Sequence, residues 1–132
     1  MTHKVFSLGL LLALATIDAG AQVVLSPTRY ELDLKLDYPA EVLRGTARIV
    51  VENPSTQPVR QASLLLYRLL QVRDVRNSAG ADLAFSQTVV AFEDFGKLQG
   101  DQFVVTLQEP LAPGAQTAIQ IHYDGYLLGY AE

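Results

Sequence analysis

The stretch that decides the fold is RYELDLKLD, residues 29–37, followed by LRGTARIVVENP, residues 43–54. In the first segment apolar and charged residues alternate, so that four apolar side chains share one side of an extended chain: Tyr30, Leu32, Leu34 and Leu36. A period of two is typical of a β-strand with one wet face. The segments therefore predict two strands that open an all-β domain.

The overall composition limits the function classes. The chain has 132 residues, is 49% hydrophobic and 18% charged, and carries a formal net charge of −4, which is typical of one soluble globular domain. The mild acidity argues against nucleic acid or anionic lipid as a partner. The sequence has no cysteine, which excludes a disulfide, a lipid-modified lipoprotein, a thiol nucleophile and a cysteine metal site.

Residues 1–21 are predicted to be a secretory signal peptide. Lys4 gives a positive start, residues 5–17 are mostly apolar, and Ala-Gly-Ala at residues 19–21 fits a cleavage site. A membrane anchor is the alternative, but the apolar run is shorter than the roughly 18 residues that a membrane-spanning helix needs. We therefore expect a secreted or periplasmic domain of residues 22–132, with no membrane contact after cleavage.

The middle of the chain predicts a change of sheet. Residues 53–58, NPSTQP, form a predicted turn in which Asn and Ser side chains cap the backbone. Residues 62–66 are apolar on both faces, which indicates a strand covered on both sides or one that crosses to a second sheet. A helix over residues 64–72 is the competing interpretation, although the segment lacks a sustained helical stripe.

The second half alternates strand and turn patterns. Residues 83–92 contain strand candidates, residues 95–101 a hairpin connection with two glycines, and residues 109–114 a Pro-Gly turn. Two further strands place apolar residues on one face: Phe103, Val105 and Leu107, then Thr117, Ile119, Ile121 and Tyr123. The sum is an antiparallel β-sandwich of about seven to eight strands.

Residues that could carry chemistry are few. His122, the lone histidine after residue 21, shares a predicted strand face with Gln120 and Asp124, but a zinc site needs three or four ligands. Glu93, Asp94 and Asp101 could bind calcium, yet they lack the alternating run of oxygen ligands of such a loop. We therefore interpret both groups as ordinary polar surface and predict no catalytic, cofactor or metal residue in this chain.

The aromatic residues and the C-terminal end remain to be explained. Five of the six tyrosines are scattered among the strands and the C-terminal end rather than grouped, which favours core and sheet-edge packing over a binding platform: Tyr30, Tyr67, Tyr123, Tyr126 and Tyr130. Residues 126–130, YLLGY, keep large apolar side chains close to the chain's end, where domains usually become polar. Either this segment folds back on the sandwich or it belongs to an interface with further protein. The candidate interface residues are Tyr126, Leu127, Leu128 and Tyr130.

Five phrases in order resemble the N-terminal domain of M1-family zinc aminopeptidases. They are PTRYELDLKLD, LRGTARIVVENPS, LLLYRLLQVRDV, PLAPG and IQIHYDGYLLGY, which together span residues 27–130. The resemblance rests on an opening Tyr strand at Tyr30, a Gly-Thr pair at Gly45, a Pro-Gly turn at Gly114 and a Tyr-x-Gly strand at Tyr123. The resemblance rests on the order of the five phrases rather than on any one of them.

The resemblance implies a β-rich saddle or sandwich that packs against a thermolysin-like catalytic domain. In that family a Gly-x-Met-Glu-Asn loop and a His-Glu-x-x-His motif with a distal Glu supply the chemistry, and neither motif occurs here. Zinc is therefore expected only in a catalytic domain that this chain lacks, and peptide substrate would meet this chain only indirectly. The chain alone is not expected to hydrolyse peptides.

Two functions are compatible with the sequence. The first is a non-catalytic scaffold domain, residues 22–132, which we expect to be truncated before a catalytic domain. The second is a free-standing extracellular binding module that uses loops such as residues 53–58 and 95–101 to bind a protein or glycan.

Overall fold

The computed structural model describes residues 24–92, 94 and 98–127, and the predicted signal peptide lies outside them. Seven strands form two antiparallel sheets, which confirms the predicted all-β sandwich. Within the described residues, no helix is long and apolar enough to cross a bilayer. The strands are β1 (Ser26–Asp37), β2 (Val42–Glu52), β3 (Val59–Tyr67), β4 (Leu70–Asn77), β5 (Ala84–Ala91), β6 (Gln99–Leu111) and β7 (Gln116–Tyr126).

One sheet has the order β1-β2-β7-β4 and the other the order β3-β6-β5. The chain changes sheet after β2, which confirms the crossing prediction for residues 62–66. These residues are not covered on both sides, since Ala62 and Leu64 are buried and Leu65 is exposed. The competing helix over residues 64–72 is wrong, because β3 runs to Tyr67 and β4 starts at Leu70.

The core lies between the sheets and uses the alternating residues that the sequence predicted. Phe103, Val105 and Leu107 of β6 are buried, as are Ile119, Ile121 and Tyr123 of β7. β6 is longer than expected: it starts at Gln99, inside the predicted hairpin connection, and continues to Leu111, inside the predicted turn. Residues 95–97 of that connection lie outside the described part.

The predicted turn at residues 53–58 is built around Asn53, which is fully buried. Its Oδ1 accepts hydrogen bonds from Ser55 N at 3.0 Å and Ser55 Oγ at 2.7 Å. Its Nδ2 donates to Gln57 O at 2.7 Å and to Leu111 O at 2.8 Å. The side-chain capping expected from Asn and Ser is confirmed, and it reaches β6 as well as the local turn.

Candidate docking surface

The apolar row of β1, defined as Tyr30, Leu32, Leu34 and Leu36, lies on the core side of its sheet. Each member is directly opposite a β2 residue on the same face, with Tyr30 facing the buried Ile49 and Leu32 facing the buried Ala47. The row is nevertheless 50–57% exposed. The alternation predicted from the sequence is confirmed, but all of β1 is solvent-exposed rather than one face alone.

Sheet width explains this exposure. β1 is the outermost strand of a four-stranded sheet, and the facing sheet has three strands. The substantial strand contacts of β1 are with β2, whereas β4 at the other end of the sheet also contacts β5 and β6. The apolar row therefore overhangs the sandwich. Sequence periodicity reports which face is apolar, but it cannot report whether a second sheet extends far enough to cover it.

A groove of about 490 Å³ separates β1 from β3. Tyr30 and Leu32 line one wall, and Leu64, Leu65 and Leu66 line the other. Leu65 is 62% exposed, so the apolar surface continues from β1 across the groove to β3. We call this side of the sandwich, comprising β1, β3 and the groove, the open edge. A contiguous exposed apolar surface of this kind makes the open edge a candidate interaction site.

Two glycines of the resemblance permit close approaches, one at the groove and one on the side of β4. Gly45 lies directly opposite Tyr123 on β7, and a Cβ at Gly45 would overlap the Tyr123 ring. The ring therefore lies across β2 at the floor of the groove, where burial raises the pKa of the Tyr123 hydroxyl. Gly125 lies opposite Leu70, and a Cβ there would overlap the Leu69 carbonyl oxygen. Each glycine permits one close approach that a side chain would block.

The predicted interface segment begins at the end of the apolar row. Tyr126 is the last residue of β7 and is exposed, and Leu127 N donates to Glu41 O at 3.3 Å. Leu36, Tyr38 and Leu127 line a small apolar depression of about 290 Å³. Leu127 is therefore continuous with the apolar row of β1, whereas Tyr126 lines a cavity beside Arg68 and Asp101. Leu128 and Tyr130 lie outside the described residues, and the interface role remains a prediction.

The opposite side of the sandwich, where β4 meets β5, is closed by side-chain hydrogen bonds, and we call it the closed edge. Gln87 of β5 donates to Leu70 O at 2.8 Å and accepts from Val72 N at 2.9 Å. The same amide nitrogen donates to Asp101 Oδ2 at 2.6 Å. The Gln87 amide thus takes the place of a neighbouring strand for β4.

Asp101, one of the candidate calcium residues, is buried at this closed edge. Arg68 Nη1 lies 3.8 Å from Asp101 Oδ1 and supplies a counter-charge. Asp94 is exposed, and Glu93 lies outside the described residues. No group of three or more potential metal ligands occurs among the residues described, and Asp101 is better explained by its contacts with Gln87 and Arg68.

The outer face of the four-stranded sheet is polar and paired. His122 Nδ1 lies 2.7 Å from Asp74 Oδ1 on β4, a partner that the sequence reasoning missed because the two residues are far apart in the chain. Gln120 Nε2 lies 3.5 Å from His122 Nε2. Asp124, on the same face, accepts hydrogen bonds from Arg73 Nε at 2.9 Å and Nη2 at 2.7 Å. These contacts lower the pKa of Asp124 and raise that of Arg73.

The tyrosines divide between core and surface. Tyr123 is buried, whereas Tyr30, Tyr67 and Tyr126 are exposed. The predicted core packing applies to Tyr123, and Tyr30 lies on the edge strand β1, where the prediction was packing at the sheet edge. Tyr67 Oη donates to Leu127 O at 3.2 Å, which ties β3 to the C-terminal segment. Tyr130 lies outside the described residues.

This chain is similar to known proteins in its three-dimensional structure. The sequence matches no protein-family model and no curated protein. A crystal structure of a mutant M1 zinc metallopeptidase from Deinococcus radiodurans bound to a Tyr-Ser-Ala substrate matches with a TM-score of 0.58 and 23% identity, over 82% of this chain and 22% of that chain. A second structure of the mutant gives a TM-score of 0.57 and 24% identity, over 78% and 21% of the two chains.

The fold is therefore similar to part of an M1 zinc metallopeptidase and consistent with an N-terminal domain of such a protein. This agrees with the resemblance read from the sequence. The present chain spans 22% of the first matching structure's length. At this level of identity the likeness establishes the fold.

Proposed function

We propose that this chain is the non-catalytic N-terminal scaffold domain of a secreted or periplasmic M1-type zinc aminopeptidase. Its open edge packs against a catalytic domain that this sequence does not contain, and so bounds an active site carried elsewhere. The observation that carries the proposal is the apolar row of β1, which faces the core side of the sheet and is left uncovered by the second sheet.

The energetics of the row support a packed partner. Fully burying a large apolar side chain contributes about 1.5 to 3 kcal/mol. The four side chains of the row are about half exposed, so covering them would contribute about 3 to 6 kcal/mol. The groove and the Leu36–Leu127 depression extend the same surface. The fold likeness to a longer metallopeptidase provides a candidate for the covering element.

In this proposal the chain supplies shape rather than reacting groups. Zinc belongs to the catalytic domain, and peptide substrate meets this domain only through the wall that it helps to form. His122 is paired with Asp74 on the outer sheet face, on the side away from the open edge. Its expected role is to join β7 to β4, and we expect His122→Ala to leave any peptidase activity of the assembled protein unchanged.

The first test is to read the genomic DNA past the codon of Glu132. An open frame that continues into Gly-x-Met-Glu-Asn and His-Glu-x-x-His motifs is expected. An authentic stop codon with no peptidase reading frame downstream would contradict this proposal.

The second test measures docking on the continued protein. Leu34→Asp places a charge in the middle of the apolar row and is expected to weaken packing, seen as an earlier and separate unfolding transition of this domain in calorimetry. Asp33→Asn, on the other face of the same strand, is the matched control and should leave a single transition. Equal behaviour of the two variants would exclude the apolar row as the docking site.

A free-standing binding module is the second candidate function. It is favoured by a cavity of about 600 Å³ beside the closed edge, lined by Arg44, Arg68, Arg73, Asp101 and Asp124. Within the described residues Asp101 Oδ1 and Arg68 Nε are buried without a hydrogen-bond partner. A purified, stable chain that binds a partner without a peptidase domain would favour this function, whereas a chain that only aggregates would count against it.

A further inference from the structure

The backbone edge of β1 is a second feature of this strand, distinct from the apolar row. β1 is a terminal strand of its sheet, and within the described residues its pairing is with β2 on one side only. β1 is also long, with 12 residues. A long edge strand presents unpaired N–H and C=O groups that can pair with another strand. The side chains that would meet across such a pairing decide which strand fits.

The outer-face charges of β1 are self-complementary in one antiparallel register. When the strand pairs with its own copy about Asp33, Arg29 faces Asp37 and Glu31 faces Lys35, and symmetry repeats each pair. On the core-side face the same register places Tyr30 opposite Leu36 and Leu32 opposite Leu34. Opposite charges and apolar pairs directly across neighbouring strands are both stabilising. The single unfavourable pair is Asp33 with its own copy.

Neighbouring registers lack this match. Centring the pairing on Leu32 places Arg29 opposite Lys35 and Glu31 opposite Asp33, so like charges meet throughout. Centring it on Leu34 places Glu31 opposite Asp37, and this like-charge pair offsets the favourable pair of Asp33 with Lys35. Like charges directly opposite each other are destabilising. Within the chain, Arg29 lies 2.8 Å and Arg48 3.7 Å from Glu31, so pairing with a second copy adds Lys35 to these contacts or exchanges them. Lys35 has no salt bridge among the described residues and is available for that pairing.

We propose that β1 pairs with β1 of a second copy of this chain, antiparallel and centred on Asp33, so that two four-stranded sheets join into one. The partner is a second copy because its charge pattern is the one that matches. The inference rests on the backbone edge of β1 and on the charges of its outer face, to which the apolar pairs of the core-side face add. It does not depend on the proposed scaffold function, because the charges that select the register lie on the other face from the docking surface.

Engineered cysteines test the register, since the chain has no cysteine of its own. In the full chain, Asp33→Cys puts the new thiol directly opposite its copy, close enough for a disulfide. Oxidation is expected to give a covalent dimer on a non-reducing gel. Lys35→Cys is the matched control, because residue 35 faces residue 31 and should give little cross-linking. Equal cross-linking of both variants, or none with Asp33→Cys, would overturn the proposal.

Charge reversal tests the same pairing without a covalent bond. Glu31→Lys alone and Lys35→Glu alone each place like charges across the interface, and each is expected to raise the dimer dissociation constant about tenfold or more by sedimentation velocity. An equimolar mixture of the two variants restores both ion pairs and is expected to form a heterodimer. Arg44→Glu, on the outer face of β2 opposite Lys35, is a control that should still dimerise.

A third variant guards against misfolding as an explanation. Asp33→Asn removes the one like-charge pair and is expected to tighten the dimer. Three results would each contradict the pairing. The wild-type chain could stay monomeric, the dissociation constant could be the same for every charge variant, or the mixture could fail to form the heterodimer. Association through the apolar N-terminal residues, or through a strand of a peptidase domain alone, would give one of those results.

Discussion

The two edges of this sandwich are finished in opposite ways. At the closed edge, the Gln87 side chain binds the backbone of β4 and the buried Asp101, so that Leu70 O, Val72 N and Asp101 Oδ2 have hydrogen-bond partners within the chain. At the open edge, the apolar row of β1 is half exposed and a groove separates it from β3. The three-stranded sheet does not extend far enough to cover the apolar row of β1.

The difference teaches where this domain is complete and where it is available to a partner. Buried polar groups must find partners as the chain folds, because leaving them unpaired costs about 1 to 3 kcal/mol each. Exposed apolar side chains leave no polar group unpaired, so they can remain in solvent until a second surface covers them. The closed edge should therefore control stability, and the open edge should control association.

The largest expected effect comes from the glycine beside the closed edge. Gly125→Ala would force a Cβ against the Leu69 carbonyl oxygen, which belongs to the backbone and has little room to move. Unfolding in urea should show a loss of about 3 kcal/mol or more. Gly45→Ala, near the open edge, meets only the end of the Tyr123 ring, which can turn toward the groove, so its loss should be clearly smaller. The reverse ranking would break the comparison.

Removing the Gln87 amide is expected to have the next largest effect. Gln87→Ala leaves Leu70 O, Val72 N and Asp101 Oδ2 without the hydrogen bonds that now satisfy them. The free energy of unfolding should fall by about 2 to 3 kcal/mol. Thr88→Ala, the exposed neighbour on the same strand, is the control and should change it by less than about 0.5 kcal/mol. A small loss for Gln87→Ala would mean that the closed edge does not depend on this amide.

The apolar row should contribute little to the stability of the isolated domain. Leu34→Ala is expected to cost about 1 kcal/mol or less, because its side chain is half exposed. Ile121→Ala, a fully buried residue of β7, should cost about 2 to 5 kcal/mol in the same thermal unfolding experiment. Similar losses for the two variants would indicate that the row is covered within the chain itself.

The smallest expected effect is electrostatic and lies on the outer face. Hydrogen bonds from Arg73 lower the pKa of Asp124 below its usual value of 3.8. As the pH falls, Asp124 in the unfolded chain takes up a proton first, so its contribution to stability is present above that value and is lost as the pH drops through the folded pKa. Asp124→Asn should therefore lower stability at pH 7 and converge with the wild type in strong acid.

Urea unfolding at several pH values measures this convergence. Glu109→Gln removes an equal charge from an exposed position with no hydrogen bond or ion pair seen in the described chain, and its difference from the wild type should stay nearly constant. A difference for Asp124→Asn that is equally constant would show that the Arg73 contact contributes nothing.

Local sequence patterns predicted much of the fold. The period-two pattern located β1, β2, β6 and β7, and the Asn-Pro-Ser sequence located the capped turn at Asn53. Strand ends were less well predicted, because β6 continues through Glu109 and Pro110 into the expected turn. Turn-forming residues can lie within a strand when the neighbouring strand is long enough to pair beyond them. Here Val59 of β3 pairs with Leu111 of β6.

The open edge could be predicted only in part. The alternation of Tyr30 to Leu36 identifies an apolar face, but its exposure depends on the width of a sheet made from distant strands. The pairing of His122 with Asp74, and of Gln87 with Asp101, likewise depends on sheet order rather than on spacing in the chain. A polar residue within an otherwise apolar strand face, such as Asp101 before Phe103, was the available signal for a buried contact.

Asn53 has a consequence for the motions of the molecule. Its backbone N–H donates to Ala115 O, its carbonyl accepts from Gly114 N, and its side chain binds Leu111 O, so two connections at one end of the sandwich share a single buried residue. Amide hydrogens in these connections should exchange with solvent at rates close to those of the core strands. Residues 53–58 and 112–115 should open together as one cooperative unit, although both are loops by position.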